Sequence, residues 1–195
     1  AKWEHNRIYS NNRNLYSAER QDYCTRTPFE ERKPRIVCPQ FAYPVGTGLI
    51  MAGANRNLVR HNFIYDNWRQ GALLLYVPAA LRGDDDPAHQ TDTSNGNQFI
   101  ANHMGHAPDG TLEPNGVDFR WDGQGVGNCW RSNESSGPGH VSDPASLPAC
   151  PAGSASPVPT NPVVLASQVP CTAWDPKTQH MPPGCDWFMT PPKPK

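Results

Sequence analysis

No apolar run in these 195 residues approaches the roughly 20 needed to cross a bilayer as a helix, so an α-helical membrane span is excluded. Charge of one sign is also missing. The net charge is −1, and bulk electrostatics therefore does not point to nucleic acid or to an anionic membrane surface. Apolar side chains are sparse at 36%, while proline (22) and glycine (16) are plentiful, which argues against a compact helical domain. No C-x-x-C pair occurs, which counts against zinc-ribbon and thioredoxin-like chemistry. The opening stretch, AKWEHNRIYS, has neither a basic leader nor an apolar signal core. The expectation is a removed signal or a piece of a longer chain.

What the chain does have is six cysteines: Cys24, Cys38, Cys129, Cys150, Cys171 and Cys185. Six cysteines allow about 15 pairings. Nearest-neighbour pairing is favoured, because each bridge then staples a polar, proline-rich loop with little core of its own. Each loop of this size is worth about 3 kcal/mol in the chain-entropy picture. Disulfides persist in oxidising compartments, so the expected location is secreted, extracellular or at the cell surface.

The chain also repeats itself. Placing Ala1–Asn11 under Asn57–Asn67 aligns His5 with His61, Asn6 with Asn62, Ile8 with Ile64, Tyr9 with Tyr65 and Asn11 with Asn67. Residues 97–105 and 128–136 continue the set, with Asn102 and Asn133 in the Asn62 column. Trp3, Val59, Phe99 and Trp130 share the column three residues earlier. Ile8, Ile64 and Met104 share the column two residues later. A second, glycine-led strand pattern starts at Gly48, Gly71 and Gly116, aligning Leu49, Ala72 and Val117, then Met51, Leu74 and Phe119. One repeat reads as two short strand segments joined by connections of very variable length. This is the logic of a solenoid, in which stacking buries one face and insertions leave from corners. An asparagine at a bend tolerates a left-handed backbone, and its amide can bond to the layers on either side. Asn6, Asn62, Asn102 and Asn133 are read as such a ladder.

This pattern resembles the right-handed parallel β-helix repeat of pectate-lyase-like and NosD-like secreted proteins. The resemblance covers Ala1 to about Asn133. It implies an all-β fold of about four coils over residues 1–136, with insertions at about 12–47 and 77–95. It also implies, commonly, work on polysaccharides. Residues 137–195 are proline-rich and hold three of the six cysteines. They are expected to form an irregular cap that does not extend the ladder, anchored by Trp174, Trp187, Phe188 and residues 163–165. Because the first repeat starts at Ala1, the expectation is that further coils, in the same gene product or on a partner chain, cover that end.

Strand alternation assigns Ile50, Leu73 and Asp118, then Ala52, Leu75 and Arg120, to an outward face. A polysaccharide lyase needs a cation to neutralise a uronate and a base to take the neighbouring proton. Asp118, Arg120, Asp122, Arg60 and His61 are residue types suited to that work, although they form no motif and equally suit solvated ion pairs. Asp118 and Asp122 are the carboxylates a glycoside hydrolase would draw on. Asp84, Asp85 and Asp86 on a corner loop are candidate calcium ligands, and His89, His103 and His106 candidate transition-metal ligands. The sequence N-E-S at Asn133 matches an N-glycosylation acceptor. The outward Leu73, Leu75 and Ile50 require a cover, and the C-terminal segment is the nearest one. The functional expectation is a structural or carbohydrate-binding β-helix protein. The alternatives are a polysaccharide lyase or hydrolase and, as a minor reading, a subunit of an end-to-end stacked filament.

Overall fold

The computed structural model describes residues 1–40, 42–77, 86, 94–151, 171, 173–175, 178 and 182–195. The strands in chain order are β1 (Lys2–Glu4), β2 (Arg7–Tyr9), β3 (Thr47–Ala52), β4 (Leu58–Arg60), β5 (Phe63–Tyr65), β6 (Gln70–Leu75), β7 (Gln98–Ile100), β8 (His103–Met104), β9 (Phe119–Trp121), β10 (Cys129–Arg131) and β11 (Ser142–Asp143). They form three sheets, ordered β1-β4-β7-β10, β2-β5-β8 and β3-β6-β9-β11. Every pairing within them is parallel. The chain visits the three sheets in turn, so each complete pass contributes one strand to each.

A repeat of two strand segments was expected, and three are found. The extra strand is β2, β5 or β8, and it carries only one inward side chain: Ile8, Ile64 or Met104. Alternation cannot show in so short a strand. The inward columns run in register. Val59 meets Phe99, and Phe99 meets Trp130, whose rings stack at 5.3 Å. With Leu49, Met51, Ala72, Leu74 and Phe119 they make a single core enclosed by the three sheets.

Short strands need sharp corners, and one device makes them. The residue before a corner asparagine is left-handed: His5, His61, Ala101 and Ser132 before Asn6, Asn62, Asn102 and Asn133, with φ between 50° and 57°. Arg56, Gly96 and Gly127 precede Asn57, Asn97 and Asn128 in the same way, as Ser10 and Asp66 precede Asn11 and Asn67. The expected left-handed asparagine is therefore corrected: its neighbour takes the bend, and the asparagine keeps ordinary backbone. Its side chain is turned inward to do something else.

That role is hydrogen bonding between passes. Asn62 Oδ1 accepts from the backbone N–H and the Nδ2 of Asn6, both at 2.9 Å. Asn102 Oδ1 receives the same pair from Asn62, and Asn133 Oδ1 from Asn102. Two further ladders run at the other corners: Asn57–Asn97–Asn128 and Asn11–Asn67–Asn115. Asn62, Asn67, Asn97, Asn102 and Asn115 are completely buried, and their paired amides offset what would otherwise be a cost of about 1–3 kcal/mol per unsatisfied group. Asn133 Nδ2 is committed to the Phe99 carbonyl, so the N-E-S acceptor nitrogen is already occupied.

The longest departure from the repeat, between β2 and β3, carries a helix, α1 (Ala18–Arg26), capped by Ser17, and a single 3-10 turn at Phe29–Glu31. It packs a second, smaller core, in which Tyr16 and Val45 meet Trp174 and Phe188. Those two aromatics anchor the C-terminal segment, while residues 163–165 lie outside the described residues. Arg69 clamps the same segment from β6's side. Its guanidinium donates to the carbonyls of Val45, Asp186 and Met189 and to the Asp186 carboxylate.

The proline-rich stretch does extend two sheets, against expectation. Ser142–Asp143 pairs with Phe119–Arg120. Trp130 N–H donates to the Pro148 carbonyl, and Cys150 N–H returns a bond to the Trp130 carbonyl. Proline lacks only the donor, and Pro148 is asked only for its acceptor. Three disulfides close the molecule: Cys24–Cys38, Cys129–Cys150 and Cys171–Cys185.

Candidate functional site

All six residues of β6 are buried, although a strand with one solvent face would alternate. Leu74 faces the core. Leu73 and Leu75 face the other way and are still only 3% and 7% exposed. They form the floor of a groove of about 510 Å³ between the outer face of the third sheet and the C-terminal segment, which contributes Cys171, Gly184, Asp186 and Trp187. The expected aliphatic stripe is thus covered at Leu73 and Leu75, while Ile50 stays 36% exposed.

The groove's walls are polar and aromatic. Arg120 stands in register with Leu73, and its Nε lies 3.6 Å from an Asp143 oxygen, both side chains being mostly exposed. Arg69 Nη1 lies 2.8 Å from Asp186 at the opposite wall. Trp187 adds an indole, while Trp121, in register with Leu74, only borders the groove and packs on the main core against Trp130 at 5.4 Å. Gln70 is 1% exposed, and its Nε2 donates to Thr47 Oγ1 at 3.0 Å. Its Oε1 is buried without a partner among the described residues.

The residues nominated from sequence do not converge on one site. Arg120 and Asp122 line the groove. Asp122 is engaged there by backbone, its carboxylate accepting from Tyr76 N–H, Gln124 N–H and Gln124 Nε2. Arg60 sits on a different sheet and pairs with Glu4 at 2.7 Å, a contact that holds the Glu4 carboxyl below its usual range. His61 lies at a corner, exposed and stacked on His5 at 5.6 Å.

Asp118 is corrected outright. It is fully buried, not outward. The register explains why. Ala72 pairs with Phe119, not Val117, so Asp118 takes the place that Gly48 and Gly71 hold in the earlier passes. At Gly48 a Cβ would stand 2.9 Å from Asn67 Nδ2, because the ladder amide fills that space. At Gly71 Asn115 Nδ2 fills it in the same way, and one pass further, at Asp118, the ladder has no asparagine to offer. Ser136 Oγ accepts the Asn115 N–H, Asp118 Oδ1 accepts from Asn115 Nδ2, and the Ser136 hydroxyl and N–H bind the same carboxylate. Asp118 and Ser136 together replace the missing rung.

Burial pushes the Asp118 carboxyl above its usual range, and the bonds from Asn115 and Ser136 pull it only partly back. A carboxyl raised in the folded state gives stability that is complete below the unfolded value, near 3.8, and is lost as pH rises through the folded value. Unfolding free energy measured in urea at stepped pH should therefore contain a component that grows toward acid. The difference between wild type and Asp118→Asn should isolate it, and a difference that is flat with pH would count against the assignment.

Asp84, Asp85 and His89 lie outside the described residues, and Asp86 is exposed. Among the described residues no three potential ligands of the His, Cys, Asp and Glu types gather where they could hold a metal. His103 pairs with Glu134 at 2.7 Å, and His106 bonds the Met104 carbonyl. No helix among the described residues is long and apolar enough to cross a membrane.

Sequence reasoning missed Trp121, Trp187, Gln70, Asp143 and Arg69 as site residues. No motif marks them. The one usable signal was the outward leucine pair, which required a cover and so located the groove. Compared with protein families, with curated proteins and with solved structures, the chain has no match.

Proposed function

We propose that residues 1–136 wind as a right-handed parallel β-helix of about four coils, and that the protein is exported and binds carbohydrate in the groove over β6 and β9. The parallel sheets visited in turn and the corner ladders support the fold reading. The three disulfides, typical of extracellular proteins, support export.

The observation that carries the binding reading is the groove's composition. The Trp187 indole, half-buried at the groove wall, offers apolar surface to the C–H face of a sugar ring. Arg120 and Asp143, both mostly exposed, offer hydrogen bonds to hydroxyls. Catalysis by lyase or hydrolase chemistry finds less support. Asp118 is consumed as a ladder rung, and Asp122 is held by a backbone turn.

The test is a titration against a panel of neutral and acidic polysaccharides, read by tryptophan fluorescence and calorimetry. Trp187→Ala and Arg120→Ala should each weaken binding about tenfold, equivalent to roughly 1.4 kcal/mol, without changing the fold. No saturable binding, or binding untouched by both variants, would remove the groove from consideration. Release of unsaturated or reducing ends that depends on Arg120 would replace binding with catalysis.

A further inference from the structure

We propose that the turn at Lys33–Ile36 is a processing site, where an endoprotease of trypsin-like specificity hydrolyses the Arg35–Ile36 bond and leaves two chains joined by Cys24–Cys38. Water adds across that bond: the C–N bond breaks, Arg35 keeps the new carboxyl group and Ile36 the new amine. The turn belongs to the insertion between β2 and β3, and none of its residues lines the groove.

The first observation is how little holds the segment. Ile36 N–H donates to the Lys33 carbonyl at 2.9 Å, which puts Pro34 and Arg35 at the centre of a tight turn, and proline suits the first of those positions. The turn's base is held by Lys33 N–H on the Tyr23 hydroxyl at 2.8 Å. Lys33, Pro34, Arg35 and Val37 are exposed. Among the described residues the turn bond is the only backbone–backbone bond made by residues 34–38, and no helix or strand forms there. A protease binds its substrate extended, so cutting favours loop tips that open at little cost. The second core, built on Tyr16, Val45, Trp174 and Phe188, includes none of these residues.

The second observation is that the competing cations are held. A trypsin-like enzyme seats a cationic side chain against an aspartate in its specificity pocket. Arg26 ends helix α1 and pairs with Asp22 at 2.8 Å. Arg32 donates to the carbonyls of Thr27 and Cys24. Lys33 and Lys193 are each followed by proline, whose ring obstructs the bond before it. Arg13 is exposed, but its neighbours Asn12 and Asn14 are tied to the carbonyls of Asp66 and Phe188. The remaining described arginines sit in α1, in strands, at a ladder corner or in the clamp on the C-terminal segment. Among the described cations Arg35 alone combines exposure, a loop position, a following residue other than proline and neighbours not bonded to the stack.

The third observation is the bridge around the turn. Cys24 and Cys38, with a sequence separation of 14, close the loop that carries it. A cut inside that loop leaves both new ends attached, and β1 and β2 keep their pairing with β4 and β5. The main core draws on no residue between Ile8 and Leu49. Hydrolysis therefore changes the connectivity of the chain without dismantling the stack. Ile36 and Val37 line a cavity of about 930 Å³ together with Phe29, so the cut falls in the wall of that cavity and opens it.

The probe is trypsin at a low ratio, added to the full chain with its disulfides intact and followed over time by mass spectrometry. The first product should gain the mass of one water, stay whole on a non-reducing gel and part into two fragments on reduction, one of them beginning IVCPQ. Arg35→Gln should slow that first cut at least about a hundredfold, because the specificity pocket's carboxylate loses its partner, and Arg35→Lys should restore it. In the nicked protein, amide exchange should quicken at Ile36 and Val37 and stay as in the intact protein at Phe99 and Trp130. Protein recovered from its natural source should show a second N-terminus at Ile36. A first cut anywhere else, Arg82 and Lys177 included, would overturn the proposal. So would loss of protection at Phe99 and Trp130 on nicking, or natural material that is uncut at Arg35.

Discussion

Replacing Asn62 by alanine should cost about 3–5 kcal/mol of folding stability, enough to unfold much of a marginal domain at room temperature. The side chain is completely buried and sits at the crossing of five interactions. Its Oδ1 accepts from Asn6 N–H and Nδ2, and its Nδ2 donates to the carbonyls of Trp3 and Arg60 and to Asn102 Oδ1. Alanine removes all five bonds and leaves a cavity in a fully buried slot, where the facing Asn102 amide cannot rehydrate, and each stranded group adds about 1–3 kcal/mol. Leucine should be no better, because its bulk supplies no donor. Asn6→Ala provides the internal control: the same residue type in the same column, but exposed, and expected to cost less than about 1 kcal/mol. Chemical denaturation of the two variants side by side checks this. Similar losses at Asn6 and Asn62 would mean that the ladder's contribution does not depend on burial.

The second large effect is expected at Cys129–Cys150. This bridge closes a segment with a sequence separation of 21 and ties the last strand of the first sheet to the chain that covers it. Cys129→Ala with Cys150→Ala should lower stability by about 3 kcal/mol on loop entropy alone. Because Cys150 N–H is bonded to the Trp130 carbonyl and Leu147 packs on the main core, the loss should spread inward. Trp130 should become more exposed and its amide should exchange faster. The comparison is Cys24–Cys38, with a separation of 14, which staples the α1 insertion. Its removal should leave protection at Trp130 unchanged, since that insertion packs on the second core and not on the first. Exchange measured by mass spectrometry on both double variants distinguishes local from transmitted loss.

Much of this architecture was legible in the spacing of a few residues. The columns Trp3–Val59–Phe99–Trp130 and Ile8–Ile64–Met104 could be aligned because asparagine and isoleucine recur at constant offsets between the insertions. Nearest-neighbour disulfides followed from the need to staple coreless loops. The third sheet was harder. Its first two strands aligned through Gly48 and Gly71, and Gly116 suggested that the same cue continued. Gly116 is glycine for another reason: a Cβ there would meet the Trp68 carbonyl oxygen at 2.2 Å. The register consequently slipped by two, and Asp118 was placed on an outer face when it occupies a glycine's slot. The two further ladders were visible in principle, as asparagines five residues before and after Asn62, but their meaning depended on recognising a third strand with one inward side chain. Of the groove only the floor was legible, through the outward Leu73 and Leu75; its walls were not, because Trp187 and Asp186 reach it from a segment more than 60 residues beyond β9.

The chain that follows β10 gives β9 and β10 a blunt rim. Ser142–Asp143 takes the outer edge of β9 over two residues, and Pro148–Cys150 takes that of β10 through one donated and one accepted backbone bond. So short a pairing, set among prolines, gives an incoming strand little to template on. Over these two strands the far rim is thereby made a poor seed for edge-to-edge pairing.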